Sequence, residues 1–286
     1  MNVLSLFDGM SCGQIALTRA NIHVDRYYAS EIDEKAIAIT QRNYPDTIQL
    51  GDVENWQDWD IDWASIDLIM GGSPCQGFSN GSWTQTGPRD ERSRLFFVFV
   101  DILNHVRALN PNVKFLLENV SMKPEWLNLI SDYLGVRGVY INSDRVSAQN
   151  RQRYYWANWD FSVPADRGIK LEDIIEDDGY YADREKSYCL DANYYKGSNF
   201  RRYFFMSGRQ ILLKKGYVRR DDMTKDNSND IMHEDGNPWR KLSVLECERL
   251  QTVPEGYTAG VSNVWRYHML GNGWTVDVIT HILKSM

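Results

Sequence analysis

Residues 3–20, VLSLFDGMSCGQIALTRA, set an apolar pentapeptide, a glycine-punctuated turn and a helical pattern end to end. Val3 to Phe7 reads as a short buried strand, Asp8 to Gly13 as a turn, and Gln14 to Ala20 as a helix. The succession recurs. Arg26–Ser30 reads as a second strand ending in Glu31, and Asp33 as the N-cap of a helix over 34–43, which stops before Pro45. Ile48–Leu50, Ile66–Met70 and Phe115–Leu117 read as further strands, Arg94–Leu109 and Glu125–Leu134 as helices. Val139–Ile141 and Arg153–Trp156 read as later strands, and Leu242–Leu250 and Thr275–Leu283 as helices. Such alternation predicts an α/β fold: a mostly parallel sheet covered on both faces. Residues 160–239 break the pattern, being polar and charge-segregated. They predict a small separate domain, with 1–159 and 240–286 forming the larger one.

The totals bound the function. A chain of 286 residues with 43% hydrophobic residues can build a substantial core. No stretch reaches the about 18 apolar residues of a membrane span. The start MNVLSLFDG lacks the charged head and long apolar run of a signal peptide, so a cytoplasmic location without membrane contact is expected. Cys12, Cys75, Cys189 and Cys247 stand far apart, with no Cys-x-x-Cys pair, which argues against a zinc site and a disulfide framework; no metal is expected. The net charge of −7 disfavours a polyanionic partner, but its distribution reverses that. Lys196, Arg201, Arg202, Arg209, Lys214, Lys215, Arg219 and Arg220 follow one another with no acidic residue between them. A local basic patch can hold phosphates in an acidic protein. A solvated basic face is the plain alternative.

The strand ends carry the chemistry. Glycines after the first strand let the backbone approach a ligand, and a helix N-terminus follows. Glu31, ending the second strand, stands where a carboxylate can hold both hydroxyls of a ribose. Asp52, after the third, is placed to accept from a purine amine. The pattern departs from G-x-G-x-x-G, so the three ends outline a nucleoside site without a pyrophosphate cradle, as S-adenosylmethionine would need. Taken singly, each is an ordinary turn. GGSPCQGFSN, residues 71–80, puts Cys75 after a proline on a glycine-rich loop just past the fourth strand, where a thiolate can act as a nucleophile. Glu118 ends the fifth strand and can hold a base edge or supply a proton. In Gln149-Asn150-Arg151-Gln152-Arg153, alternation predicts that Gln149, Arg151 and Arg153 share one strand face.

FDGMSCG, SE at 30–31, GD at 51–52, GGSPCQGFS, ENV, QNRQR, RKLSVLECERLQTVPEGY and LGNGW resemble, in order, the signature of the cytosine-5 DNA methyltransferase family. The tryptophan of LGNGW is similar to that of the animal de novo branch; the rest is of bacterial or phage type. Met10-Ser11-Cys12 and Gln251-Thr252-Val253-Pro254 depart from the usual pattern. The resemblance implies a Rossmann-like S-adenosylmethionine-dependent methyltransferase sheet with a small target-recognition domain at 160–239. It implies that Cys75 attacks C6 of a flipped-out cytosine while Glu118 protonates N3, with Arg151 and Arg153 supporting the site. Phe7, Asp8, Gly9, Met10, Ser11, Glu31, Ile32, Asp52, Val53, Pro74, Asn272 and Trp274 would line the cofactor. Gln76, Ser79, Gln149, Arg201, Arg202 and Arg209 would face DNA. Double-stranded DNA is the implied partner, with a cognate restriction endonuclease where the gene belongs to a restriction–modification pair.

Three other readings compete. The tRNA-methylating branch of the family usually carries Cys-Phe-Thr, which is not found here. Idle DNA-binding homologues usually lose one of the residues that stand here as Cys75, Glu118 and Arg151. A nicotinamide-dependent oxidoreductase would call for the missing G-x-G-x-x-G.

Overall fold

The computed structural model describes residues 1–74, 94–206, 208–217 and 238–286. The chain forms two compact units: residues 1–142, 152–164 and 278–286 in one, 143–151 and 165–277 in the other.

The first unit is built on a seven-stranded sheet ordered β3-β2-β1-β4-β5-β7-β6. Its strands are β1 (Asn2–Leu6), β2 (Arg26–Ser30), β3 (Ile48–Gln49), β4 (Ile66–Gly71), β5 (Lys114–Val120), β6 (Val139–Asn142) and β7 (Gln152–Ala157). The strands from β3 to β5 in that order run parallel, and β7 is antiparallel to both β5 and β6. Central parallel strands are covered on both faces, so they are apolar nearly throughout. Val3, Leu4 and Leu6 of β1, Leu68, Ile69 and Met70 of β4, and Phe115, Leu116 and Leu117 of β5 are all fully buried. Around the sheet lie α1 (Cys12–Arg19), α2 (Glu34–Asn43), α3 (Arg94–Leu109) and α4 (Pro124–Leu134). Phe96, Phe99, Ile102, Leu103 and Val106 of α3 fill the core with Leu4, Ile69, Phe115 and Trp156. Close packing sets the glycines here: a Cβ on Gly138 would stand 2.7 Å from the Trp156 ring.

This order has one functional consequence. From β1 the chain steps to β2 and β3 on one side, while β4 and β5 lie on the other. The strand order therefore reverses between β1 and β4, and ligands of open α/β sheets bind in the crevice beyond the carboxyl ends at such a reversal. The turn at 7–11 leaves β1 there, and Gly72-Ser73-Pro74 leaves β4 there.

The second unit contains a three-stranded antiparallel sheet, β8 (Tyr180–Tyr181), β9 (Ile211–Lys214) and β10 (Trp239–Lys241), with β9 central. α5 (Phe200–Phe205) packs Phe200 and Tyr203 against Ile211, Leu213 and Tyr217 in a small core. α6 (Val244–Leu250), α7 (Asn263–Asn272) and the first residues of α8 (Val276–Leu283) belong to the same unit. The compact units thus part at 142/143, 151/152, 164/165 and 277/278, where the sequence pattern pointed to 160 and 239. Residues 240–277 are held by their own unit: Arg240 pairs with the fully buried Glu246 at 2.7 Å, and Gln149 donates to the Leu250 carbonyl at 2.8 Å.

Candidate functional site

The turn after β1 is strained. Phe7, Gly9 and Ser11 all lie in the left-handed region, with φ of 57°, 60° and 58°. Glycine takes this conformation without penalty, whereas Phe7 and Ser11 each cost about 1–2 kcal/mol. Five contacts hold the turn. The Asp8 amide donates to the Ser30 carbonyl at 3.1 Å, and the Ser11 amide to the Asp8 carbonyl at 3.1 Å. The Ser11 hydroxyl donates to one Asp8 carboxylate oxygen, and the Tyr27 hydroxyl donates to the other at 2.7 Å. The Gly9 amide donates to Glu31 Oε2 at 2.7 Å. Asp8 is half-buried as a residue, but its carboxyl is turned inward onto the buried Ser11 and Tyr27. Burial pushes it up to about 6 against these hydrogen bonds.

Glu31 is itself fixed. Its Oε1 accepts from the amides of Ile32 at 2.8 Å and Asp33 at 2.9 Å, just before α2. Ile32 beside it is 71% exposed, an apolar side chain left in solvent next to an oriented carboxylate. The Ser30 hydroxyl donates to the Gly51 carbonyl at 2.7 Å and fastens the next strand end. Asp52 follows and caps a short 3-10 helix, Val53–Asp58, by accepting from the Glu54 amide at 3.0 Å. Among the expected cofactor residues Met10, Ser11 and Val53 are buried, so their side chains build the turns. Among the described residues no atom lies within 4 Å of where a Cβ on Gly9 would stand. The donor set and this open cradle fit a nucleoside: a carboxylate for vicinal hydroxyls, a second acceptor for an amine, and an apolar face.

At the end of β4, Gly71 permits close approach, since a Cβ there would stand 3.1 Å from both the Leu6 carbonyl and the Phe99 ring. Asn119, buried in β5, donates to the Ser73 hydroxyl at 3.2 Å and carbonyl at 3.4 Å. It fixes the residues that lead into Pro74. Sequence reading passed over Asn119, whose signal was its place between two residues of ENV. Cys75, Gln76 and Ser79 lie outside the described residues. Glu118 stands within β5, opposite Tyr155 of β7, because β5 runs on to Val120 instead of stopping at Leu117. Its Oε1 is 2.8 Å from Nε of Arg153, with both side chains largely buried. A guanidinium at that distance orients the carboxylate.

Gln149, Arg151 and Arg153 do not share a strand face. β7 begins at Gln152, so alternation does not extend back to Gln149, which bridges to Ser187 instead. Gln149 is fully buried, and its amide donates to the Leu250 carbonyl and Gln251 Oε1, both at 2.8 Å. The expectation that it faces DNA is corrected accordingly. Arg151 is 3% exposed; it donates to the carbonyls of Leu190 at 2.9 Å, Gly271 at 3.1 Å and Gly273 at 2.8 Å. It ties the backbone at 190 to that at 271–273 within its own unit. Gln251 extends the network to Leu270 and Gly273, and Thr275 and Ser143 complete it. Asn272 ends α7, its amide 3.2 Å from the His268 ring, and Trp274 follows.

The basic stretch divides. Arg201 and Arg202 are exposed on α5, as the expected DNA contacts should be. Arg209 is committed: it pairs with Asp191 at 2.9 Å and donates to the Gly197 carbonyl at 3.2 Å. Arg202, Arg209, Tyr188 and Met206 line a pocket of about 520 Å³. Arg219 and Arg220 lie outside the described residues. Among the described residues no cluster of His, Cys, Asp or Glu could hold a metal, and no helix is long and apolar enough to cross a membrane.

Comparison with known proteins agrees with this geometry. Type II methyltransferase M.NlaX of Neisseria lactamica is 27% identical over 313 aligned residues, which take in 99% of this chain and 95% of the relative. Among solved structures, Entamoeba histolytica methyltransferase EhMeth superposes with a TM-score of 0.73 at 15% identity, covering 100% of this chain and 97% of its own. DNMT2 of Spodoptera frugiperda superposes at 0.66 with 20% identity, covering 99% and 98%. At such identities the structures speak for the fold, a methyltransferase sheet. The model of the C-5 cytosine-specific DNA methylase family matches residues 1–123 and 139–286. With the sheet reversal, the nucleoside-shaped strand ends and the Glu118–Arg153 pair all falling inside that match, the chain belongs to the C-5 cytosine-specific DNA methylase family.

Proposed function

We propose that the chain methylates C5 of a cytosine within a short sequence of double-stranded DNA, using S-adenosylmethionine, by way of a covalent bond from Cys75. The observation that supports this reading is that one sheet edge holds both the Gly9–Glu31 cradle, beyond β1 and β2, and Gly72-Ser73-Pro74, beyond β4, with Glu118 near the end of the neighbouring β5 and Cys75 next after Pro74 in the sequence. When bound, S-adenosylmethionine supplies a methyl group on a sulfonium, an electrophile. Glu31 would hold the ribose hydroxyls, Asp52 the adenine amine, and Ile32 the face of the ring.

The Cys75 thiolate attacks C6 of the base. Glu118 holds the N3 and N4 edge and delivers a proton to N3, so the electron pair displaced toward the ring raises the nucleophilicity of C5. After C5 has accepted the methyl group, loss of its proton to a base restores the double bond and expels Cys75. Arg153 keeps Glu118 aimed, and Arg151 keeps the backbone at Leu190, Gly271 and Gly273 in place. C5 and C6 are hidden in a stacked duplex, so the base must leave the helix. Arg201 and Arg202 would meet phosphates. The reaction belongs in the cytoplasm of a bacterial or phage-infected cell, and a cognate endonuclease is the natural partner where the gene is one of a restriction–modification pair.

Bisulfite sequencing of DNA from a methylation-free bacterial host tests the reading. Expression of the chain should protect cytosines in one short context, and the Cys75→Ala variant should protect none while binding the cofactor within about twofold of the parent. Unprotected DNA from a host making folded, cofactor-binding protein would point to RNA as the substrate or to an idle homologue.

A further inference from the structure

We propose that Asp8 is the positioning residue of the cofactor turn: its carboxylate locks residues 7–11 in the left-handed course that aims the Gly9 amide at Glu31. The inference rests on the reading of that turn as the S-adenosylmethionine site. Asp8 acts here on the turn and not on a ligand, because its carboxyl is buried and both its oxygens face protein hydroxyls. One accepts from the Tyr27 hydroxyl of β2 at 2.7 Å, the other from the Ser11 hydroxyl at the entry to α1.

Two features show what those bonds restrain. Phe7 and Ser11 are non-glycine residues in a conformation that side chains disfavour, and they flank Asp8 and Gly9. Such a course persists only when its surroundings over-determine it. The Ser11 hydroxyl is a node of the same network: the Thr40 hydroxyl of α2 lies 3.2 Å away and the Gln14 amide 3.3 Å away, and Gln14 reaches Thr47 at 2.8 Å. Asp8 thus couples β2, α1 and α2 to a turn whose exit amide fixes Glu31. Ionised, the carboxylate accepts from both hydroxyls at full strength; protonated, one of its oxygens becomes a donor and a weaker acceptor.

The titratable groups facing it are Tyr27 from β2 and Glu31 just beyond that strand; Ser5 of β1 and Ser11 bring neutral hydroxyls. Burial raises Asp8 to about 6, with a small contribution from the Glu31 charge. The direction of the pH effect follows. Above about 6 the lock is closed. As the pH falls through that value a proton enters the carboxyl, one acceptor is weakened, and the turn is released. Fold stability runs the other way. A carboxyl raised in the folded state makes the fold less stable as pH climbs through its transition, so Asp8 sharpens the cofactor site at a cost to the fold.

Titration calorimetry with S-adenosylmethionine from pH 5 to 8, on the full chain and on Asp8→Asn, tests the lock, with thermal melts alongside. The parent should weaken below pH 6, approaching about tenfold per pH unit. Asp8→Asn should bind about tenfold more weakly at pH 8, lose the step near 6, and melt no lower than the parent at pH 8. A merely structural role predicts the opposite melt, with Asp8→Asn less stable. Asp8→Asn binding as tightly as the parent, with the same pH step, overturns the proposal. If Asp8→Asn does not fold, Tyr27→Phe carries the test: a severalfold loss of affinity supports the lock and an unchanged affinity overturns it. A folded parent that binds no S-adenosylmethionine at any pH sinks the cofactor reading itself, and this role with it.

Discussion

At the scale of single residues, the most demanding position is one that carries no side chain. A Cβ on Gly271 would stand 2.2 Å from the carbonyl carbon of Asp191 and 2.3 Å from its oxygen. Both are backbone atoms, so no rotamer change relieves the contact. Gly271→Ala should therefore cost about 3 kcal/mol, the upper range for overpacking, and a denaturant titration should show the midpoint fall with little change in slope. A midpoint equal to the parent's would mean that α7 and the 191 segment separate easily. The glycine of LGNGW was visible in the sequence, but its reason was not, because the atoms it avoids lie far away in the chain. Arg151 teaches the same point. Its sequence pattern suggested a charge held out to a ligand, while its surroundings bury it among carbonyls that residues 190, 271 and 273 bring from a distance.

At the scale of elements, local chemistry was legible. Asp33 caps α2 as its place before Glu34-Lys35-Ala36 predicts, its carboxylate accepting from the amides of Lys35 at 2.8 Å and Ala36 at 3.4 Å. Asp33→Ala should lower stability by about 1 kcal/mol, and Asp33→Asn, which can cap as well, should restore most of it in the same melt. Equal melts for all three would remove the cap from the helix's account. The central strands announced themselves as apolar runs, and β2 fell where those runs placed it. β5 continued past its apolar core because Glu118 and Asn119 find partners there, a salt bridge and the Ser73 loop, that no local pattern contains. α7 went unread because its buried residues, Tyr267, Met269, Leu270 and Gly271, sit among polar neighbours and include a glycine. The sheet of the second unit went unread for a related reason: β8 and β10 are two and three residues long, too short for any period to show.

At the scale of the whole molecule, charge and covalent order matter more than any one contact. The chain carries a net −7, so DNA affinity has to come from local cations. Arg209 is neutralised by Asp191, which leaves Arg201 and Arg202 as the exposed pair on α5. Replacing both with alanine should weaken DNA binding across sequences and flatten the dependence of log K on log salt by about two. An unchanged slope would take α5 out of the interface.

The chain passes from one compact unit to the other four times. Val278, Ile279 and Ile282, which are fully buried, belong to the first unit yet follow every residue of the second. On a ribosome, the first unit therefore waits for these residues until the second unit has emerged. All seven strands of the sheet are made before residue 158, but the apolar side chains of 278–282 that complete the first unit's core are added last of all.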